Sequence, residues 1–285
     1  MTHLRFLDLS KNDINQLPAK LSMLRNLQTL IIDSNVKVLQ FPAGMEKVPN
    51  LRHLDLGSRQ PFVRPPGIEQ LTNLQTLRTI AVVGYYRDEV WRTGVLRELV
   101  NLQELRVTIK LGNLDAKEKE TNNQGILMNM KNLRKLELFW HPMKIENADN
   151  LLASFKPPTN VKHLVLDSCG GIQFPDWLGN PSQILRLSCL ANERFPSLKT
   201  LELVSLSHLE SWTDLHDGDM PLLQELHIVG CQMLSSLPTL KFLGSLQKLH
   251  IEYCQKLQAF PDEKPPITLN YLAFKLPLIA RIMQG

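Results

Sequence analysis

Leu226-His227-Ile228-Val229-Gly230-Cys231-Gln232-Met233-Leu234-Ser235-Ser236-Leu237-Pro238 is followed, 23 residues on, by Leu249-His250-Ile251-Glu252-Tyr253-Cys254-Gln255-Lys256-Leu257-Gln258-Ala259-Phe260-Pro261. Both stretches put apolar residues on alternate positions, then a cysteine, then a leucine, then an apolar-proline step. Alternation with period two is the mark of a short strand with one buried face. The proline removes an N–H and fixes φ, so the chain leaves strand geometry there and turns back. A coil of 23 residues cannot bury its own apolar face. It must be covered by the coil before and the coil after.

Working outward, the strand part of this pattern, L-x-x-L-x-L, recurs along the whole chain. It reads Leu4/Leu7/Leu9, Leu27/Leu30/Ile32, Leu51/Leu54/Leu56, Leu74/Leu77, Leu102/Leu105/Val107, Leu133/Leu136/Leu138, Val161/Leu164/Leu166, Leu198/Leu201/Leu203, Leu223/Leu226/Ile228, Leu246/Leu249/Ile251 and Leu269/Leu272/Phe274. Leucine supplies 53 of the 285 residues, which is what eleven such units require. Their spacings are 23, 24, 23, 28, 31, 28, 37, 25, 23 and 23 residues, mostly within the roughly 20–29 of leucine-rich repeats. The expected fold is therefore an α/β leucine-rich-repeat solenoid, a curved horseshoe with about 11–12 short parallel strands on its concave face. One repeat domain is expected over 1–285, with expanded repeats over about 80–160 and a degenerate unit, Ile184/Leu187/Cys189, over about 180–197. The insertions 84–94, 111–129 and 141–158 are expected as loops.

Three further columns keep the same register. Asparagine directly precedes the first consensus residue at Asn26, Asn50, Asn73, Asn101, Asn132 and Asn160. After the strand, Asn12, Asn35, Cys169, Cys231 and Cys254 occupy a position suited to satisfying backbone groups of the turn. The apolar-proline steps Leu17-Pro18, Phe41-Pro42, Phe174-Pro175, Leu237-Pro238 and Phe260-Pro261 open the return segments. Stretches such as 21–27 and 96–102 are expected to make a helical turn there.

Composition limits the function. No apolar run approaches the roughly 18–20 residues of a membrane span, and the first residues lack the build of a signal peptide. The single glycosylation-like triplet, Asn180-Pro181-Ser182, carries the forbidden proline. Four cysteines, without a C-x-x-C pair, suggest neither a disulfide scaffold nor a zinc site. Net charge is +4, with both signs interspersed, so nucleic acid and membrane are not expected partners. No G-x-S-x-G, H-E-x-x-H, G-x-G-x-x-G or calcium-loop pattern is present, so the chain is not expected to be an enzyme or to hold a cofactor, metal or small-molecule substrate. His227 and His250 fill the same slot in adjacent units, without a third ligand in line.

Recognition is expected at the x positions of the repeat. Ten basic residues stand there (Arg5, Arg52, Arg78, Arg106, Arg134, Lys135, Lys162, Arg186, Lys199 and Lys248) against six acidic ones (Asp8, Asp55, Glu104, Glu137, Glu202 and Glu225). The candidate partner-binding residues are Arg52, His53, Arg78, Arg106, Arg134, Lys135, Lys162, His163, His227, Lys248 and His250. Arg106, Arg134, Lys135 and Lys162 are expected to form its most basic part. Cross-strand pairs are expected for Asp55 with Arg78, Glu104 with Lys135, Arg106 with Glu137 and Glu225 with Lys248.

With its tandem cysteine form and its early phrasing, Leu4-Arg5-Phe6-Leu7-Asp8-Leu9-Ser10 and Leu24-Arg25-Asn26-Leu27-Gln28-Thr29-Leu30, the chain resembles the leucine-rich-repeat region of plant intracellular nucleotide-binding leucine-rich-repeat receptors of the coiled-coil class. The resemblance implies plant innate immunity and disease resistance. Its implied role is a protein-recognition module for a pathogen effector, a guarded host protein or the receptor's own nucleotide-binding (NB-ARC) switch domain, in the cytoplasm or nucleus. No Gly-Lys pair exists to form that domain's phosphate loop, so a nucleotide-binding domain is not expected within the chain. Leu215-His216-Asp217 resembles the family's Met-His-Asp nucleotide contact but falls inside the repeats. The apolar first coil and the apolar 276–283 segment lead one to expect self-association of the isolated chain. The alternative function is a stand-alone intracellular scaffold or ubiquitin-ligase adaptor, which would need a docking motif such as an F-box.

Overall fold

The computed structural model describes residues 3–12, 14, 17–32, 41–57, 67–82, 93–109, 125–140, 152, 155–169, 177, 195–212, 215–257 and 265–275. Among them each of the eleven repeat units forms one strand. In chain order these are β1 Phe6–Asp8, β2 Thr29–Ile31, β3 His53–Asp55, β4 Thr76–Val82, β5 Glu104–Ile109, β6 Lys135–Trp140, β7 His163–Asp167, β8 Thr200–Val204, β9 Glu225–Val229, β10 Lys248–Glu252 and β11 Tyr271–Lys275. The sheet order is the chain order, β1 to β11. The degenerate unit at 184–189, and most of the insertions at 84–94, 111–129 and 141–158, lie outside the described residues.

The chain divides into two compact units, Met1–Leu136 and Glu137–Gly285. In the first, parallel pairing aligns the middle leucine of each strand: Leu7 with Leu30, Leu30 with Leu54, Leu54 with Leu77 and Leu77 with Leu105. Leu27, Leu30, Leu51, Leu54, Leu74, Leu77 and Leu102 are fully buried between coils. The return segments are short 3-10 turns, Ala19–Met23, Met45–Lys47, Ile68–Gln70 and Thr93–Glu98. Each is only one or two turns long, so it is held by its buried leucine, isoleucine or methionine and not by helix propensity.

The fourth unit lacks a third consensus leucine because β4 carries an extra residue. Register shifts between Leu77 and Ile80, and Ile80, fully buried, takes the inward place beside Val107. Thr79 absorbs the bulge at φ 63° and is buried, an unusual conformation for a β-branched residue.

In the second unit β7 to β11 pair in perfect register. Leu164, Leu201, Leu226, Leu249 and Leu272 form one inward row. The first four are fully buried, whereas Leu272 is 48% exposed. The residue after each of β7 to β10 turns left-handed, at Ser168, Ser205, Gly230 and Tyr253. The N–H groups of the first three still donate to Val204, Val229 and Glu252 carbonyls. Cys231 and Cys254 then point their thiols at the Leu203 and Ile228 carbonyls of the preceding coil, at 3.7 and 3.8 Å. In the first unit Asn12 does the same work within its own turn, donating to Leu9 and Ser10 carbonyls.

The asparagine column has a clear physical role. Asn50, Asn73 and Asn101 donate their side-chain N–H to the carbonyls of Arg25, Pro49 and Thr72, one coil earlier, at 2.8, 2.8 and 2.9 Å. In the second unit Ser245 and Thr268 take over, reaching the Pro221 and Leu246 carbonyls. Each such bond satisfies a carbonyl of a turn that the sheet cannot reach.

Candidate functional site

Strand alternation sends positions four and six of L-x-x-L-x-L inward, leaving positions three and five of each strand on the outer sheet face. The residue just before each strand belongs to another surface. Its carbonyl accepts two N–H groups from the next coil, as Arg52 does from Gln75 and Thr76 and Gln103 does from Arg134 and Lys135. Its side chain lies beside the asparagine column, on the rim where strands begin. In the first unit the rim forms a groove of about 340 Å³ lined by Asn50, Arg52, Asn73, Gln75, Asn101, Gln103 and Asn132. A separate groove of about 310 Å³ lies on the sheet face, lined by Thr29, Ile31, His53, Asp55, Thr76, Arg78 and Glu104 together with Leu30 and Leu54.

The eleven candidate residues therefore divide. His53, Arg78, Arg106 and Lys135 are on the first unit's strands, while Arg52 and Arg134 belong to its rim. His163, His227, Lys248 and His250 are on the second unit's strands, and Lys162 precedes β7 as an exposed rim residue. Of the basic four expected together, Arg106 and Lys135 lie on strands, whereas Arg134 and Lys162 each precede one as rim residues.

On the first sheet face Arg78 bridges two acids, 2.9 Å from Glu104 and 3.9 Å from Asp55. The Asp55 pair was readable from the repeat. The shorter Glu104 contact was missed because it runs diagonally from one exposed slot to the other, which the register in sequence does reveal. All three side chains are a third or more exposed, so each pair is worth only a few tenths of a kcal/mol to about 1. His53 shares a 3.1 Å hydrogen bond with Thr76 Oγ1.

The second face is a lattice of acids, imidazoles and lysines. Lys248 meets Glu225 at 2.7 Å, as expected from sequence, and Lys275 meets Glu252 at 2.9 Å. His163 lies 3.3 Å from Glu202, and His227 3.6 Å from Glu225. His250 Nε2 is 2.8 Å from Glu252 without aligned hydrogen-bond geometry. The Lys248 ammonium holds Glu225 below the usual carboxylate range, and Lys275 with His250 does so for Glu252. The three histidine–glutamate contacts were not foreseen: His163 with Glu202 runs diagonally between paired strands, whereas His227 with Glu225 and His250 with Glu252 join residues two apart on one strand.

Nothing here converges as a metal centre. The His227 and His250 rings lie tilted by 51° with centroids 5.7 Å apart, but one Nε2 turns to Glu225 at the start of its strand and the other to Glu252 at the end. Among the described residues no three His, Cys, Asp or Glu side chains are grouped to hold a metal ion. Cys169, Cys231 and Cys254 are buried free thiols. Burial, with Asp167 nearby, pushes the Cys169 thiol far up, and the adjacent Cys254 thiol together with burial does so for Cys231. Among the described residues no helix is long and apolar enough to cross a membrane. His216 has a local role: its N–H donates to Asp219 Oδ2 at 2.8 Å, closing a turn whose Asp219 carbonyl receives the Phe195 N–H.

Known proteins resemble this chain over most of its length. The disease resistance protein UNI of Arabidopsis thaliana is 28% identical over 283 residues, covering 84% of this chain and 31% of its own. The late blight resistance protein R1-A of Solanum demissum is 26% identical over 260 residues, covering 81% of this chain and 19% of its own. The chain spans about a fifth to a third of the length of such relatives; two further disease resistance relatives from Arabidopsis thaliana are covered over 36% and 22%. Among solved structures, a leucine-rich-repeat protein of Leptospira interrogans superposes with a TM-score of 0.50 at 19% identity, over 96% of this chain and 67% of that one, which speaks for the fold alone. The family model described as "Leucine-rich repeat region" matches residues 1–216. Coils paired in register within each unit, that match and these relatives lead to one conclusion: the chain belongs to the leucine-rich-repeat family.

Proposed function

We propose that the chain is the partner-recognition part of a plant innate-immunity receptor. It binds a pathogen effector, a guarded host protein or the receptor's own nucleotide-binding switch domain, and works by binding and not by catalysis. The observation that carries this reading is the contrast between the two sides of each strand. Inward, the coils repeat leucine on leucine. Outward, the same backbone presents Thr29, His53, Thr76 and Glu104 in one row, and Glu202, His227, His250 and Ala273 in another. An invariant frame with varied outward chemistry suits recognition of a protein surface. The resemblance to disease resistance proteins supports placing that recognition in plant defence, and the buried free thiols fit a reducing cytoplasm or nucleus.

The test compares the tagged chain with two face variants, Arg78→Glu and Glu225→Lys, in cross-linking capture from infected leaf extract. A pathogen or host protein retained by the parent chain and reduced several-fold by either variant, with unchanged circular dichroism, is the expected outcome. Recovery of chaperones alone, or equal retention by all three proteins, would overturn the proposal.

A further inference from the structure

The rim of the first unit carries chemistry that the sheet face does not. Its groove is lined by four asparagines, two glutamines and Arg52, with no carboxylate, aromatic or aliphatic side chain among them. Three of the asparagines commit their N–H to holding the coils together. The carboxamides of Gln75 and Gln103 and the guanidinium of Arg52 extend this row, which Arg134 continues on the next coil in the same backbone environment.

We propose that this groove binds an extended, acidic polypeptide segment, at a site separate from the sheet-face recognition described above. A carboxamide presents a carbonyl acceptor beside an N–H donor, the complement of a peptide group. A guanidinium pairs with a carboxylate through two parallel hydrogen bonds. Spacing adds a further requirement. Coils repeat every 4.8 Å or so, which sets Arg52 and Arg134 about 14 Å apart, and an extended chain covers that distance in about four residues. Two carboxylates four residues apart thus reach both arginines, while the peptide groups between them cross Gln75 and Gln103. Phosphate groups would also be drawn to the arginines, but single-stranded nucleic acid is held largely by bases stacked on aromatic side chains. The groove lining has none.

The experiment uses fluorescence anisotropy of a labelled serine-rich peptide with two glutamates four residues apart, titrated with the full chain at low salt. Saturable binding is expected, weakened about tenfold or more by Arg52→Glu or by Arg134→Glu through like-charge repulsion. Replacing Gln75 and Gln103 together by Ala should weaken it several-fold, and Arg78→Glu on the sheet face should weaken it several-fold less than Arg52→Glu does. A peptide with the glutamates adjacent, or replaced by glutamine, should bind several-fold more weakly. That arm needs no protein variant, so it stands whether or not the variants fold. The proposal is overturned if the parent chain shows no saturable binding, if the two spacings bind alike, or if an oligouridine RNA binds more tightly and displaces the peptide. Because Arg78→Glu is read separately, failure at the rim leaves the sheet-face reading intact.

Discussion

Replacing Gly67 by Ala tests how closely the return segments pack. Gly67 precedes the Ile68–Gln70 turn at φ 68°, and a Cβ there would lie 2.7 Å from Glu46 Cβ and 3.2 Å from Glu46 Cγ on the preceding coil. Carbon atoms prefer about 3.5–4.0 Å. The left-handed backbone alone costs an L-residue about 1–2 kcal/mol, partly offset by the smaller unfolded-state entropy of alanine, about 0.4–1 kcal/mol. Forcing two coils apart adds an overpacking cost of about 1–3 kcal/mol. Gly218 separates the two contributions, because it has φ 83° with no atom within 4 Å of its would-be Cβ. Gly218→Ala should therefore cost about 1 kcal/mol, and Gly67→Ala about 2–4 kcal/mol. Urea unfolding followed by circular dichroism gives both values, and hydrogen exchange locates the loosened coils. A Gly67→Ala protein no less stable than Gly218→Ala would refute the close-packing argument.

The remaining expectations are smaller or more local. Ser205, exposed and left-handed at φ 51°, should gain up to about 1 kcal/mol on replacement by Gly if relief of backbone strain outweighs the added chain entropy; a thermal melt shifted downward would count against this. In the native chain Cys169 and Cys231, buried and with raised pKa, should resist a thiol reagent at neutral pH and react in denaturant, and prompt native labelling of either by mass spectrometry would contradict their burial. Glu225 is ionised more readily folded than unfolded, so its stabilisation is present above the ordinary carboxylate pKa and disappears as pH falls through its lowered folded value. Glu225→Gln should thus flatten the acid limb of a stability–pH curve, and an unchanged limb would remove the Lys248 contact as its cause.

Strand starts were legible because period-two alternation under leucine leaves no other register: a slip by one would turn the buried row outward. The cross-strand pairs Asp55 with Arg78 and Glu225 with Lys248 followed from that register. Two things did not. The bulge at Thr79 arises from one added residue, and in the sequence it shows only as a missing consensus leucine, with Ile80 one position late. The division of the exposed residues into sheet face and rim depends on where the chain bends into the strand. Arg52 and His53 are neighbours in sequence, yet they line different grooves, and no count of apolar residues contains that bend.

The asparagine bonds between coils bear on how such arrays change over generations. Asn50, Asn73 and Asn101 each grip a main-chain carbonyl, a group that every amino acid provides. A coil can therefore be duplicated, removed or exchanged by recombination, and its neighbour will still find the oxygen it needs. Outward residues can be exchanged without disturbing the joint. Architecture that fastens onto the main chain leaves the outward side chains at liberty to change one by one.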